Sequence, residues 1–353
     1  MTTATLPRYA HLFALSDGIG LFEHALYTAP RPAHGYCVDD VARGVVVLCR
    51  AEPSGDLAQL AWAYLRFVRE SQQPDGRVVN RCDTDGVRHG VPGVEDCWGR
   101  ALWGLGTAAS RGRDPELARR ALDGFELSAG LRSPWPHAMA FAGLGAAEVL
   151  RTDSGHEQAR SLLADAARAV VATRPDATRA DAARAADTPA GRPSWPWPQP
   201  RLTYANAVIP DVLLAAGSSF GEVSLVDDGL ALLDWLLTVE SQPGHLSVTP
   251  AGGWAPGEPR PGFDQQPIEV STLADACARA FELTGDPRWS RGVELAAAWF
   301  FGANDTATRL ADPVTGGCCD GLQREGRNEN QGAESTLALV STLQHAQRLA
   351  LLP

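Results

Sequence analysis

Asp39-Asp40-Val41-Ala42-Arg43-Gly44-Val45-Val46-Val47-Leu48-Cys49-Arg50 is the run that decides the fold. Wound at 3.6 residues per turn it is apolar on nearly every side, which suits a helix buried all round. The following run, Asp56 to Glu70, differs. Leu57, Leu60, Ala61, Tyr64, Leu65 and Val68 form one stripe, and Arg66, Arg69 and Glu70 fall outside it. A fully buried helix followed by a half-buried one is an inner helix backed by an outer helix.

The contrast recurs along the chain: Asp96–Ala109 against Asp114–Leu127, His137–Leu150 against His156–Val171, Ala205–Ala216 against Leu225–Val239, and Glu269–Leu283 against Pro287–Phe301. Gln331–Gln347 makes a sixth inner run, and its outer partner is expected from the N-terminal segment around Tyr9–Leu15 and Phe22–Tyr27. Six such pairs close into an all-α (α/α)6 toroid, a six-hairpin barrel with short β-hairpins or loops on its rim, and residues 1–353 read as one such domain. Asp114-Pro115 and Asp286-Pro287 place a capping acid before a proline at the first helical position, so these acids are structural. Gly99, Gly104, Gly106, Gly143 and Gly145 interrupt inner helices at about 1 kcal/mol each against alanine, which predicts close helix contact. Glu70–Val78 is echoed by Glu240–Ser247 three hairpins later, and the Pro-rich insert Thr173–Arg201 reads as a rim loop.

A net charge of −11 argues against nucleic acid, and all 31 basic residues are arginine. Without a lysine there is no Schiff base and no Walker-type phosphate loop. Seven scattered cysteines do not form a disulfide framework. No stretch reaches the roughly 20 apolar residues of a membrane span, and the N-terminus lacks a signal-peptide pattern, so a cytoplasmic, soluble protein is expected.

Each inner run opens on a polar knot: Asp39-Asp40, Glu95-Asp96, His137, Tyr204–Asn206, Glu269 with Ser271, and Asn328-Glu329-Asn330 with Glu334. Acids cap helix N-termini whether or not they do chemistry. Six knots aimed at one rim, several with two acids where one would cap, point to a site. Two carboxyl groups across a cleft, one protonated and one ionised, are what glycosidic bond cleavage requires. Glu95 or Asp96 facing Glu269 across the ring is one such pair. Asp39 and Asp40, which neighbour Glu334 in a closed ring, form another, with like charges raising one pKa. Aromatic residues at the mouths, Tyr36 and Trp98 with Trp135, Trp195, Trp197 and Trp254, suit the apolar face of a sugar, His24, His34 and His137 suit its hydroxyls or a phosphate, and Asn206 is a further substrate-binding candidate. The competing chemistry is zinc, held by Cys37, Cys97, Cys318, Cys319 or His34, although the spacing matches no ribbon or finger. The expectation is neither metal nor cofactor.

His34-Gly35-Tyr36-Cys37-Val38-Asp39-Asp40-Val41-Ala42-Arg43 and Asn328-Glu329-Asn330-Gln331-Gly332-Ala333-Glu334 resemble a group of bacterial six-hairpin glycosidase-like proteins found alone or beside glycosyltransferase modules. Asp17–Ala25 is similar to the opening of the same group. The resemblance implies carbohydrate metabolism and carries over His34, Tyr36, Asp39, Asp40, Arg43, Asn328, Asn330 and Glu334. Val41 departs from it, standing where an asparagine is expected. Three functions follow as alternatives: cleavage of an oligosaccharide or glycoside by water or phosphate, a non-catalytic glycan-binding partner of a glycosyltransferase, and a zinc-dependent cyclase or transferase.

Overall fold

A computed structural model describes residues 6–172 and 195–350. Most of the Thr173–Arg201 insert, expected as a rim loop, therefore lies outside the described residues.

The inner helices are α2 (Val38–Arg50), α4 (Asp96–Arg111), α6 (Pro136–Thr152), α8 (Val208–Phe220), α10 (Pro267–Thr284) and α12 (Ala333–Arg348). Each packs on the next, and α12 returns to α2, so the ring closes. Behind them stand α3 (Gly55–Ser71), α5 (Pro115–Ala129), α7 (Glu157–Ala172), α9 (Val223–Val239) and α11 (Pro287–Phe300), each against the inner helix that precedes it in the chain. The sixth outer position is filled by α1 (Ala10–Ala14), which packs on α12. The molecule is an (α/α)6 toroid.

Local chemistry sets the helix ends. Asp114 accepts hydrogen bonds from the Glu116 and Leu117 amides, and Asp286 accepts one from Arg288 N, with Pro115 and Pro287 at the first helical positions. Burial follows the periodicity: ten of the thirteen residues of α2 are buried, against seven of seventeen in α3. Glycine lets α4 and α6 meet backbone to backbone. A Cβ at Gly145 would stand 2.2 Å from the Leu102 carbonyl oxygen, and one at Gly106 would stand 2.1 Å from the Gly145 oxygen. The local cost of glycine is outweighed by this packing.

Phe22–Tyr27 is not helical. Ala25–Leu26 (β1) pairs with Ala29–Pro30 (β2), and Phe22 bridges to Tyr36. Prolines at 30 and 32 cannot continue a helix there. The other rim hairpins are antiparallel as well: Tyr36–Cys37 (β3) with Arg81–Cys82 (β4), β4 with Arg88–His89 (β5), Ser241–Gln242 (β6) with His245–Leu246 (β7), and Gly321–Gln323 (β8) with Gly326–Asn328 (β9). The repeated segments after α3 and α9 fold alike. Val79 N donates to Ser71 O at 3.0 Å, and Ser247 N donates to Glu240 O at 2.8 Å.

At the C-terminal end of the inner helices the carbonyl dipoles favour cations, and arginines gather there. Arg50 donates to Asp275 at 2.8 Å, Arg111 to Glu148 at 2.9 and 3.0 Å, and Arg279 to Asp211 at 2.5 Å. His345 lies 2.5 Å from Asp275. These pairs cross-link the walls of a cavity of about 380 Å³. No helix among the described residues is long and apolar enough to cross a membrane.

Candidate active site

Because an outer helix runs back between each inner helix and the next, all six inner N-termini lie at one rim, and side-chain contacts tie their knots together. Arg100 of α4 donates to Asp39 of α2 at 2.7 Å and pairs with Asp96 at 3.4 Å. The Tyr204 hydroxyl reaches Asp96, and its ring stacks on His137 of α6 with centroids 4.7 Å apart. Asn206 donates to Glu269 of α10 at 3.0 Å, and Arg43 of α2 donates to Glu334 of α12 at 2.7 Å.

The rim holds a cavity of about 290 Å³ whose floor is Asp39, Asp40, Arg43, Arg100 and Glu334, with Glu23 and Asp320 on its wall. Arg43 is its hub. One terminal nitrogen donates to Asp40 at 2.6 Å, the other to Glu334 at 2.7 Å, and Nε donates to the Asp39 carbonyl at 3.1 Å. One guanidinium thus bridges two carboxyl groups from different helices at the same cavity.

The carboxyl groups divide by environment. Asp40 is buried and also accepts from the Cys37 thiol at 3.2 Å. Burial pushes its pKa up to about 6; the Arg43 guanidinium opposes this and the Glu334 charge adds to it. Burial acts in the same direction on Asp39, yet Arg100 and then Arg43 outweigh it and hold Asp39 below the usual range. Glu334 is likewise kept low, burial being overcome by Arg43 and Arg100. Its side chain is 41% exposed, so it is the carboxylate that solvent reaches. Asp320 accepts from Gly332 N at 2.7 Å and Ser335 Oγ at 2.5 Å, and burial raises its pKa.

Among the described residues, one trio of possible metal ligands converges: Glu23, Cys37 and Asp40 offer donor atoms within 4.8 Å of one another. Their chemistry suits an ion poorly. Glu23 pairs with Arg81 and Asp40 with Arg43, while burial and then the Asp40 and Asp39 charges push the Cys37 thiol well above its ordinary pKa. Cys97, Cys318, Cys319 and His34, the other zinc candidates, are outside the trio.

Other expected site residues are placed elsewhere. Glu95 is exposed just before α4. Glu269 is buried and accepts hydrogen bonds from the amides of Ala205 and Asn206, so it does not face Glu95 across open space. Tyr36 is fully buried with its hydroxyl on Asp17 at 2.6 Å, and Trp98 is fully buried in the core. Both lie beneath the rim, out of a ligand's reach, because residues that flank the first turn of a fully packed helix point into the ring wall. Asn206 is buried as well. His34 is exposed in the turn Pro32–His34, edge-on to His24 at 5.0 Å. Asn328 accepts from Asn330 N at 3.1 Å and Asn330 from Tyr27 N at 3.0 Å, so both shape the loop before α12. Trp195 and Trp197 pack on Trp235 instead of lining the mouth.

Arg100, Asp320 and Glu23 were missing from the sequence candidates. Arg100 had a signal: like Arg43 after Asp39, it is an arginine one turn beyond the acid knot of an otherwise apolar helix. Asp320 had none, since it comes from the loop that leads into β8.

No protein-family model and no curated protein sequence matches the chain. Solved structures do. A D-mannose isomerase is similar at 12% identity over 96% of this chain and 95% of that one, with a TM-score of 0.68. A cellobiose 2-epimerase from Bacillus thermoamylovorans is similar at 10% identity over 97% and 96%, with a TM-score of 0.71. A GH76 α-mannanase from Bacteroides thetaiotaomicron is similar at 10% identity over 97% and 95%, with a TM-score of 0.62. At such identities the likeness is one of fold, the α/α toroid.

Proposed function

We propose that this chain is a carbohydrate-active enzyme that cleaves a glycosidic bond, with Asp40 as general acid and Glu334 as general base. The observation that carries the reading is the single guanidinium of Arg43 shared by a raised-pKa carboxyl and an exposed, ionised one. In the hydrolytic step Glu334 takes a proton from water as its oxygen bonds to the anomeric carbon. Asp40 gives its proton to the departing glycosidic oxygen. Arg43 couples the two transfers: once Glu334 is neutralised, its field falls on the Asp40 anion that is forming. Asp39, locked by Arg100 and Asn80, positions Arg100 and adds negative potential that favours an oxocarbenium-like transition state. The similarity to sugar-processing toroids supports the substrate class. Residues 1–353 are taken as a single domain in this reading.

Product analysis on manno-, gluco- and galacto-oligosaccharides tests it. Wild type is expected to release shorter sugars, and Asp40→Asn and Glu334→Gln, folded by circular dichroism, are expected to lose at least a hundredfold. Unchanged turnover in both variants removes the assignment. Sugar binding without turnover in the wild type favours the glycan-binding accessory, alone or beside a glycosyltransferase.

A second reading, sugar epimerisation or isomerisation, draws on His137 and on the higher TM-scores of the isomerase and epimerase. Burial lowers the His137 pKa to about 4, leaving a neutral imidazole whose Nε2 has no partner among the described residues. Incorporation of solvent deuterium at C2 of a reducing sugar would favour it over hydrolysis.

A further inference from the structure

We infer that the rim cavity takes an uncharged or amino-bearing sugar ring with water as the attacking nucleophile, and that it turns away sugar acids, sugar phosphates and inorganic phosphate. This deepens the glycosidic reading and rests on it. Five carboxyl groups line the cavity, Glu23, Asp39, Asp40, Asp320 and Glu334, against the guanidinium groups of Arg43 and Arg100 and the imidazole of His24. Both arginine cations are already paired with carboxyl groups of the site. All three nitrogens of Arg43 are engaged, by Asp39, Asp40 and Glu334. Arg100 turns its terminal nitrogens to Asp39 and Asp96, and its Nε is buried without a partner among the described residues. Phosphate held by arginine needs an open guanidinium fork, and every nitrogen of Arg43 already faces an acceptor.

Helix N-termini are the usual alternative anion site. In α2 and α12 the first turns already carry Asp39, Asp40 and Glu334, so the positive ends of both dipoles face fixed carboxylates. At the α12 start Gly332 N and Ser335 Oγ are taken by Asp320, and Ala333 N by the Glu23 carbonyl. An entering phosphate or uronate would meet like charge in a partly desolvated bowl. An ammonium group, or the positive charge that develops at an anomeric centre, would meet attraction. Water needs only a carboxylate to orient it, and Glu334 supplies one.

The test is calorimetric titration of the full chain at pH 7 with probes matched in configuration: 1-deoxynojirimycin and 1-deoxymannojirimycin as cations, glucuronate and mannuronate as anions, and inorganic phosphate. The better-bound iminosugar is expected to bind at least tenfold tighter than the uronate of the same configuration, and phosphate is expected not to bind. The gap should narrow at least threefold in Glu334→Gln, and again in Asp320→Asn should the first variant fold poorly. Product analysis in phosphate buffer should show free reducing sugar. A uronate or phosphate that binds as tightly as the iminosugar, or a sugar 1-phosphate among the products, overturns the inference while leaving glycosidic cleavage standing. No binding by any sugar probe overturns both.

Discussion

Arg43 and Glu334 are 291 residues apart in the chain and form an ion pair at 2.7 Å across the seam where α12 closes on α2. The pair joins the last inner helix to the first, so the closure of the ring and the assembly of the cavity are one event.

Removing the hub should raise the Asp40 pKa, because a buried carboxyl loses its nearest cation. In Arg43→Ala the alkaline limb of kcat/KM against pH is therefore expected to move upward by at least one pH unit, with activity falling about 10²-fold or more. Arg43→Lys should recover part of the rate but not the shared fork. An unmoved limb in a folded variant would separate Arg43 from the acid.

In the wild type, the acid works only while protonated, so kcat/KM should fall as pH rises through about 6, the value to which burial carries Asp40. On the acid side the base must stay ionised, and Glu334 is held below the usual carboxylate range, so that limb lies lower still. The profile should be a bell with its maximum on the acid side of neutrality. A maximum above pH 7.5 would contradict the assignment of Asp40.

Glu269 bears on stability. Burial, and then the charge of Glu240, holds its pKa above the ordinary carboxylate value. A raised folded-state pKa stabilises fully below the unfolded value and is lost as pH climbs through the ordinary range toward the raised one. Melting temperature should therefore decline from pH 4.5 to 8 in wild type and decline less in Glu269→Gln. Parallel curves would show that Glu269 contributes nothing to the slope.

Asp275 holds Arg50 and His345 at the opposite end of the ring. Asp275→Ala leaves the partly buried Arg50 guanidinium without its carboxylate, which costs less than the about 3–5 kcal/mol of a fully buried pair. Urea denaturation should show that loss as a lower midpoint with an unchanged slope. Because the network lies away from the rim cavity, kcat/KM of the folded fraction should stay within about threefold of wild type.

Gly145→Ala would gain about 1 kcal/mol of helix propensity in isolation. Its Cβ would meet the Leu102 carbonyl at 2.2 Å, and overpacking of that kind costs about 1–3 kcal/mol or more. Net destabilisation is expected in thermal melts; a stabilised variant would mean that α4 and α6 part without cost.

How much of this was legible beforehand depends on range. The alternation of fully buried and striped helices gave the ring, since burial on all sides or on one side is written in each helix's own periodicity. The capping acids Asp114 and Asp286 and the close-contact glycines were readable for the same local reason. Phe22–Tyr27 was misread because its apolar residues belong to a hairpin held by a distant loop, through the Tyr27 amide on Asn330. Within the site, Asp39, Asp40 and Glu334 were one possible group, with Arg43 carried over from the resemblance, but nothing local ranked that group above Glu95 or Asp96 with Glu269.

Glu269 and Glu334 show where local reading stops. Both are acids in the first turn of an inner helix, and by position alone they are equivalent. The amino-acid sequence by itself determined six helix pairs, their order and the rim on which their polar knots gather. Tertiary structure alone decided what each knot meets: a turn at Ala205, with φ of +47°, aims backbone amides at Glu269 and occupies it, whereas Glu334 meets a guanidinium and open space. The physical reason is that a carboxyl group's protonation and reach are set by burial and by neighbouring charges within a few ångströms, and here those neighbours come from the far end of the chain.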